Sequence, residues 1–195
     1  MMPQIYAVRI KSMSDNTFSV KSKKLHEEIT SQSPKARKIR ELLKNGADIN
    51  YQDEKDGYSA LMLAVDAENH RIAEYLLTLS ANPFIKNFSG EMASSLTSRN
   101  SPMYLLLKNY ELLAATHSDD LGGVVRAIEA GALVGFKDSN GATPLLIAVD
   151  GNFLKTAEFL LSEGANKAVE RLDGFGIYEL SRSREMDGLI IYGSI

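Results

Sequence analysis

Glycine returns along this chain at a fixed interval, and that interval constrains the fold more than any other feature. Gly57 and Gly90 are 33 residues apart, as are Gly141 and Gly174, and as are Gly131 and Gly164, the last two each followed by Ala. Around these glycines a longer pattern recurs. The second half of the chain runs Gly141, Thr143-Pro144-Leu145, Ala148, Leu160-Leu161, Gly164-Ala165-Asn166. The first half runs Gly57, Ser59-Ala60-Leu61, Ala64, Leu76-Leu77, Ser80-Ala81-Asn82. A stretch that recurs with its apolar positions intact is a building block, and a period near 33 belongs to stacked repeats.

Each position has a physical role. Gly141 can take the positive φ of a tight turn. Thr143 suits the N-cap, its hydroxyl accepting from an orphan amide of the first helical turn, and Pro144 suits the first helical position, where no N–H is needed. Leu145 and Ala148 lie three apart on one helix face, with Ala small enough for close helix approach. Phe159, Leu160 and Leu161 supply the apolar side of a second helix, and Gly164 closes it in the left-handed conformation. The unit is thus helix–turn–helix followed by a turn. One such unit cannot bury its own apolar face, whereas stacked units can.

These residues resemble the ankyrin repeat, whose pattern is Gly-x-Thr-Pro-Leu-His-x-Ala followed by Leu-Leu-x-x-Gly-Ala-Asp. The resemblance covers roughly residues 25–195. It implies an all-α repeat protein, an ankyrin-type solenoid of about six helix–turn–helix units with short β-hairpin or turn connections, irregular at the middle. The chain departs from the pattern at the histidine, replaced by Met62 and Leu146, and at Thr-Pro, replaced by Ser59-Ala60 in the first half. The latter keeps a cap and loses the fixed φ of proline.

Residues 1–24 are an amino-terminal segment of undetermined structure. A first block, 25–109, holds three units: Leu25–Asn50, 54–86, and a degenerate unit from Gly90 with a short outer helix after Pro102. A second block, 110–195, holds three more, the first reduced to a helix pair, then 138–170, then Gly174 to the apolar end LIIYGSI. Gly46/Gly131, Gly57/Gly141 and Gly90/Gly174 repeat at an offset of 84 or 85 residues, as a duplicated three-unit block would. Gly90 to Gly141 is 51 residues where two full repeats take 66, which sets a seam near 108–111. The expectation is one continuous stack with altered curvature there, and a hinge is the alternative.

Composition narrows the function classes. The chain has no cysteine, which removes disulfides, thiolate zinc sites and cysteine nucleophiles. His26, His70 and His117 show no ligand spacing and read as solvated surface residues, so no metal and no cofactor are expected. No window holds the apolar run needed to span a bilayer, and no secretory pattern opens the sequence, so a cytoplasmic location is expected, translocation by another route being left open. Residues 1–44 carry ten Lys/Arg and four Asp/Glu, and residues 109–195 carry seven and thirteen. The basic arm has no accompanying aromatic motif for nucleic acid, which is not expected as a ligand. Asp119-Asp120 reads as a turn and cap, Gly122-Gly123 lacks a phosphate-loop context, and no nucleophile–base–orienter set emerges, so no enzyme and no small-molecule substrate are expected.

Function then falls to the positions that the repeat leaves free, since a fold alone does not name one. In the family these are hairpin tips and the exposed face of each first helix, which line a concave surface. Carried over, they give protein-binding candidates Lys55, Asp56, Tyr58 and Asp66 in the second unit, and Phe88, Glu91 and Arg99 in the third. They give His117 in the fourth, Asn140 and Asp150 in the fifth, and Leu172, Phe175 and Arg184 in the sixth. Tyr58, Phe88 and Phe175 are aromatic where a scaffold would gain from polar residues, and aromatic anchors among polar neighbours suit a binding hot spot. The expectation is a non-enzymatic module gripping an unidentified partner protein, itself a monomer or weak dimer. The alternatives are a self-associating oligomer through the apolar carboxy-terminal unit, or an adaptor meeting an anionic partner through basic residues 9–44.

Overall fold

A computed structural model describes residues 19–193. The chain divides into two compact units, Met1–Thr97 and Ser98–Ile195. In the first, helix α1 (19–29) precedes α2 (Ala36–Lys44), α3 (Ala60–Asp66), α4 (His70–Thr78) and a single 3-10 turn at Ala93–Leu96. The second holds α5 (Pro102–His117), α6 (Leu121–Glu129), α7 (Pro144–Asp150), α8 (Leu154–Ser162), α9 (Ile177–Leu180) and α10 (Arg184–Tyr192). Among the described residues β-structure is limited to two isolated antiparallel bridges, Gln52 with Ser59 and Glu170 with Gly176. The expected hairpins are turns, two of them closed by a single bridge each.

Helix pairs alternate between an inner and an outer row. In the second unit α5, α7 and α9 contact one another in sequence as the inner row, and α6, α8 and α10 form the outer row. The core between them gathers Leu112, Val124, Leu145, Leu160, Met186 and Leu189, all buried. The two positions where the family's histidine is missing, Met62 and Leu146, are buried apolar side chains.

Capping chemistry sets the length of the inner helices. Ser59 Oγ accepts from the Met62 N–H at 3.3 Å and Thr143 Oγ1 from the Leu146 N–H at 3.3 Å, and both helices run seven residues. At the same repeat position the third unit has Met92 and the sixth has Gly176, neither with a hydroxyl. There the inner element shrinks to four residues, a 3-10 turn in one case and α9 in the other. At α9 the Glu179 carboxylate reaches back instead, accepting from the Gly176 N–H at 3.1 Å. Asp120 caps α6, accepting from the Gly123 N–H at 2.9 Å, while Asp119 takes φ 51° and accepts from the Thr156 hydroxyl at 2.7 Å.

Two expectations change. The short outer helix after Pro102 and the first helix of the fourth unit are one helix, α5, which runs unbroken through the expected seam at 108–111. Ser101 caps it and Pro102 occupies its first turn. The segment Lys108-Asn109-Tyr110-Glu111 contains no Gly or Pro to end it. His26 is not a solvated surface residue. It lies buried on α1 with its ring centroid 5.3 Å from that of Tyr51. Residues 1–18 and the last two residues of LIIYGSI lie outside the described residues.

Candidate protein-binding surface

The turns that link repeats are built on one acidic or amide side chain each. Asp53 Oδ1 accepts from the N–H groups of Lys55 at 2.9 Å and Asp56 at 2.8 Å, and Oδ2 accepts from Tyr58 N–H at 3.1 Å. Burial pushes the Asp53 carboxyl up, but the four backbone N–H groups of residues 55–58 together hold it below the ordinary aspartate value. Asn87 Oδ1 likewise accepts from Ser89 and Glu91, and Asp138 Oδ1 from Asn140 and Ala142. Beyond these residues come Gly57, Gly90 and Gly141, at φ 73°, 82° and 78°. Neighbouring turns are tied edge to edge: Phe88 N–H donates to Asp56 C=O at 3.0 Å, and Leu172 N–H to Asn140 C=O at 2.9 Å. The same bond thus recurs in both units at matching repeat positions.

In the first unit, Lys55 and Asp56 are exposed at the turn tip and pair at 3.5 Å. Phe88 is 68% exposed, yet one edge of its ring rests on Gly57, where a Cβ would meet it at 2.6 Å. Tyr58 is half-buried. Burial first, then the carboxylates of Asp66, Glu91 and Asp56, push its hydroxyl above the ordinary tyrosine value. Asp66 ends α3 in solvent, and exposed Glu91 accepts from the Asn87 side-chain amide at 3.0 Å.

In the second unit, Arg99 is exposed ahead of α5, and His117 is exposed at its last residue. The face of α7 is not available: Pro144 to Val149 are buried on every side, leaving only half-buried Asp150 at its end. The reason is packing, since Leu113, Ile147 and Ala142 form a small second cluster closed by Tyr110 and Phe136, whose rings meet edge-on at 5.3 Å. Around Asp150 the chain builds a charged clamp. Arg182 reaches Asp150 at 2.6 Å and Arg171 reaches it at 3.4 Å, while Arg171 also holds Asp173 at 2.6 Å. The Arg171 guanidinium lies 6.0 Å from the Phe175 ring centroid. Beside this clamp stand Leu172, 82% exposed, Tyr178, 64% exposed, and exposed Phe175. Asn140 and Arg184 are exposed at their turn and helix start.

The geometry thus brings Asp150, Leu172 and Phe175 together, and does the same for Tyr58, Phe88, Asp66 and Glu91. Reading the sequence missed Arg171, Arg182 and Tyr178. Arg171 was detectable, because it sits three residues before Gly174 where the other turns carry Asn87 or Asp138. Among the described residues no His/Cys/Asp/Glu group could hold a metal ion, and no helix is long and apolar enough to cross a membrane.

An all-helical array of paired helices joined by capped turns is a repeat protein. Residues 33–77 match the pattern of ankyrin repeats present in many copies, and residues 140–171 match that of the ankyrin repeat. Both stretches are thus ankyrin repeats, which are generally protein-interaction modules and typically non-enzymatic. It is similar to a phosphocholine transferase, AnkX, of Legionella pneumophila, 28% identical over 127 residues. That stretch is 65% of this chain, and the chain spans only 12% of the length of the relative.

Proposed function

We propose that this protein is a non-enzymatic interaction module that binds a partner protein through its turn tips and the exposed residues that flank them. One observation carries this reading: Leu172, Phe175 and Tyr178 are exposed within one seven-residue stretch that begins next to Arg171, which pairs with Asp150 and Asp173. Exposed aromatic and aliphatic side chains on a pre-ordered frame are the arrangement that hot spots need, since little further ordering is required on binding. Tyr58 and Phe88, among Asp66, Glu91 and Asp56, give the first unit a second such display. The transferase activity in the relative's name is not carried over, because this chain corresponds to a small part of that protein.

A photo-crosslinking side chain placed at Leu172, Tyr178 or Phe88 should capture one and the same partner. The same probe at Glu158, exposed on the outer helix α8, should not. Leu172→Ser with Tyr178→Ser should abolish capture while circular dichroism stays unchanged. Equal capture from Glu158, or capture indifferent to the double substitution, would place the contact elsewhere and refute the reading.

A further inference from the structure

The outer helices α2, α4, α6, α8 and α10 each have nine residues, so their positions correspond without gaps. At the third position Ile72, Gly123, Thr156 and Met186 are buried, and at the seventh Leu76, Ala127, Leu160 and Ile190 are buried. In α2 these positions hold Lys38, its side chain 61% exposed, and half-buried Leu42. At the fourth position Ile39, Ala73, Val124 and Ala157 are buried. In α10 that position is Asp187, exposed, and the eighth is Ile191, 59% exposed, where Leu77 is buried and Ile128 and Leu161 are half-buried.

Positions three and seven form one stripe of a helix, and four and eight the adjoining one. In α8, which contacts both α6 and α10, both stripes are covered. Ala157 and Leu161 of α8 share a core with Met186 and Ile190 of α10. Thr156, at the third position of α8, donates to Asp119 just ahead of α6, so a three/seven stripe faces the preceding repeat and the four/eight stripe the following one. Among the described residues, α2 leaves Lys38 of its three/seven stripe exposed and Leu42 half-buried, and α10 leaves both Asp187 and Ile191 of its four/eight stripe exposed.

The two open stripes are complementary. Stacking would bring Asp187 against Lys38 and Ile191 against Leu42. A carboxylate at a position otherwise filled by Ile, Ala or Val would be buried unpaired by an ordinary apolar neighbour, which is strongly unfavourable. A neighbour carrying lysine there removes that cost, and this chain carries one. The Lys38 ammonium already meets Glu28 at 2.6 Å, and with three N–H donors it can hold a second carboxylate. Beside it, α1 and α2 border an open cleft of about 340 Å³ lined by Lys24, Glu27, Glu28, Ser31, Lys38 and Leu42, room for the exposed Tyr192 that follows Ile191.

We propose that this protein associates head to tail, the open stripe of α10 in one copy stacking on the open stripe of α2 in a second copy. Such a contact is heterologous, so nothing in it limits growth to a dimer. It uses neither of the displayed aromatic groups described above and stands apart from partner binding.

Sedimentation velocity over a wide concentration range tests it. The weight-average mass of the intact chain should rise past that of a dimer and fall with added salt. Asp187→Lys alone and Lys38→Asp alone should each be monomeric, since like charges then meet at every junction. Mixing the two variants should restore growth, because each junction in the mixture pairs opposite charges, and the double variant should recover growth by itself. Asp187→Asn, which keeps the size, should weaken association about tenfold. Mass independent of concentration, growth that stops at a dimer, or a Lys38→Asp chain that assembles like the parent would each overturn the proposal.

Discussion

Ser80 occupies the helix-closing position at φ 65°, where Gly46, Gly131 and Gly164 sit at 92°, 97° and 83° in the other units. A side chain in the left-handed region costs about 1–2 kcal/mol, partly offset because glycine loses more freedom on folding. Ser80→Gly should therefore raise stability by roughly 0.5–1 kcal/mol, read as a shift in the urea midpoint. His26 gives a pH dependence. Burial pushes its pKa below the ordinary 6.5, against smaller upward contributions from Asp53 and the Tyr51 backbone, and its Nε2 has no hydrogen-bond partner among the described residues. The folded state thus prefers neutral His26. Its contribution is fully present above pH 6.5 and declines as acidification protonates the unfolded chain first. Urea midpoints taken between about pH 7.5 and 5 should fall more steeply for the parent than for His26→Phe. Positive-φ glycines and hydroxyl caps were legible in the sequence because each rests on local geometry. The burial of His26 was not, since it depends on Tyr51, 25 positions away.

At the scale of the element, a single hydroxyl separates seven-residue inner helices from one-turn stubs. Thr143 is buried and satisfies the Leu146 amide, so Thr143→Ala leaves that amide without its partner and should cost about 0.5–2 kcal/mol. Thr143→Ser, which keeps the acceptor, should recover most of the loss in the same denaturation experiment. If Ser and Ala were equally destabilising, the lost methyl contact and not the cap would be the cause. The stubs themselves were half legible: the degenerate third unit was visible as a broken pattern, and Met92 at its cap position explains how it breaks. The continuous α5 was hidden by the repeat period. Dividing the chain by period places a boundary near 108–111, whereas local preference reads Lys108-Asn109-Tyr110-Glu111 as uninterrupted helix, and local preference prevails. The burial of α7 was likewise out of reach, because Tyr110 and Phe136 cover it from residues that the repeat pattern leaves unassigned.

Across the whole molecule, positions that build repeats and positions that repeats leave free make different energetic demands. Leu160 is buried between the helix rows of the second unit, and Leu160→Ala should cost about 2–5 kcal/mol through lost burial and the cavity left behind. Leu172 and Tyr178 are apolar too, but they are mostly in solvent, and surface substitutions away from caps and buried polar groups stay within about 0.5 kcal/mol. Leu172→Ser and Tyr178→Ser should therefore leave the urea midpoint nearly unchanged. The comparison decides what those side chains are for. A loss above about 1 kcal/mol at Tyr178 would make it part of the packing of α9, which lacks a hydroxyl cap and has reason to need support. A loss near zero removes folding as the reason for displaying an aromatic ring there. The ring and its leucine neighbour, held beside Arg171, Asp150 and Arg182, then find their use only in contact with another molecule.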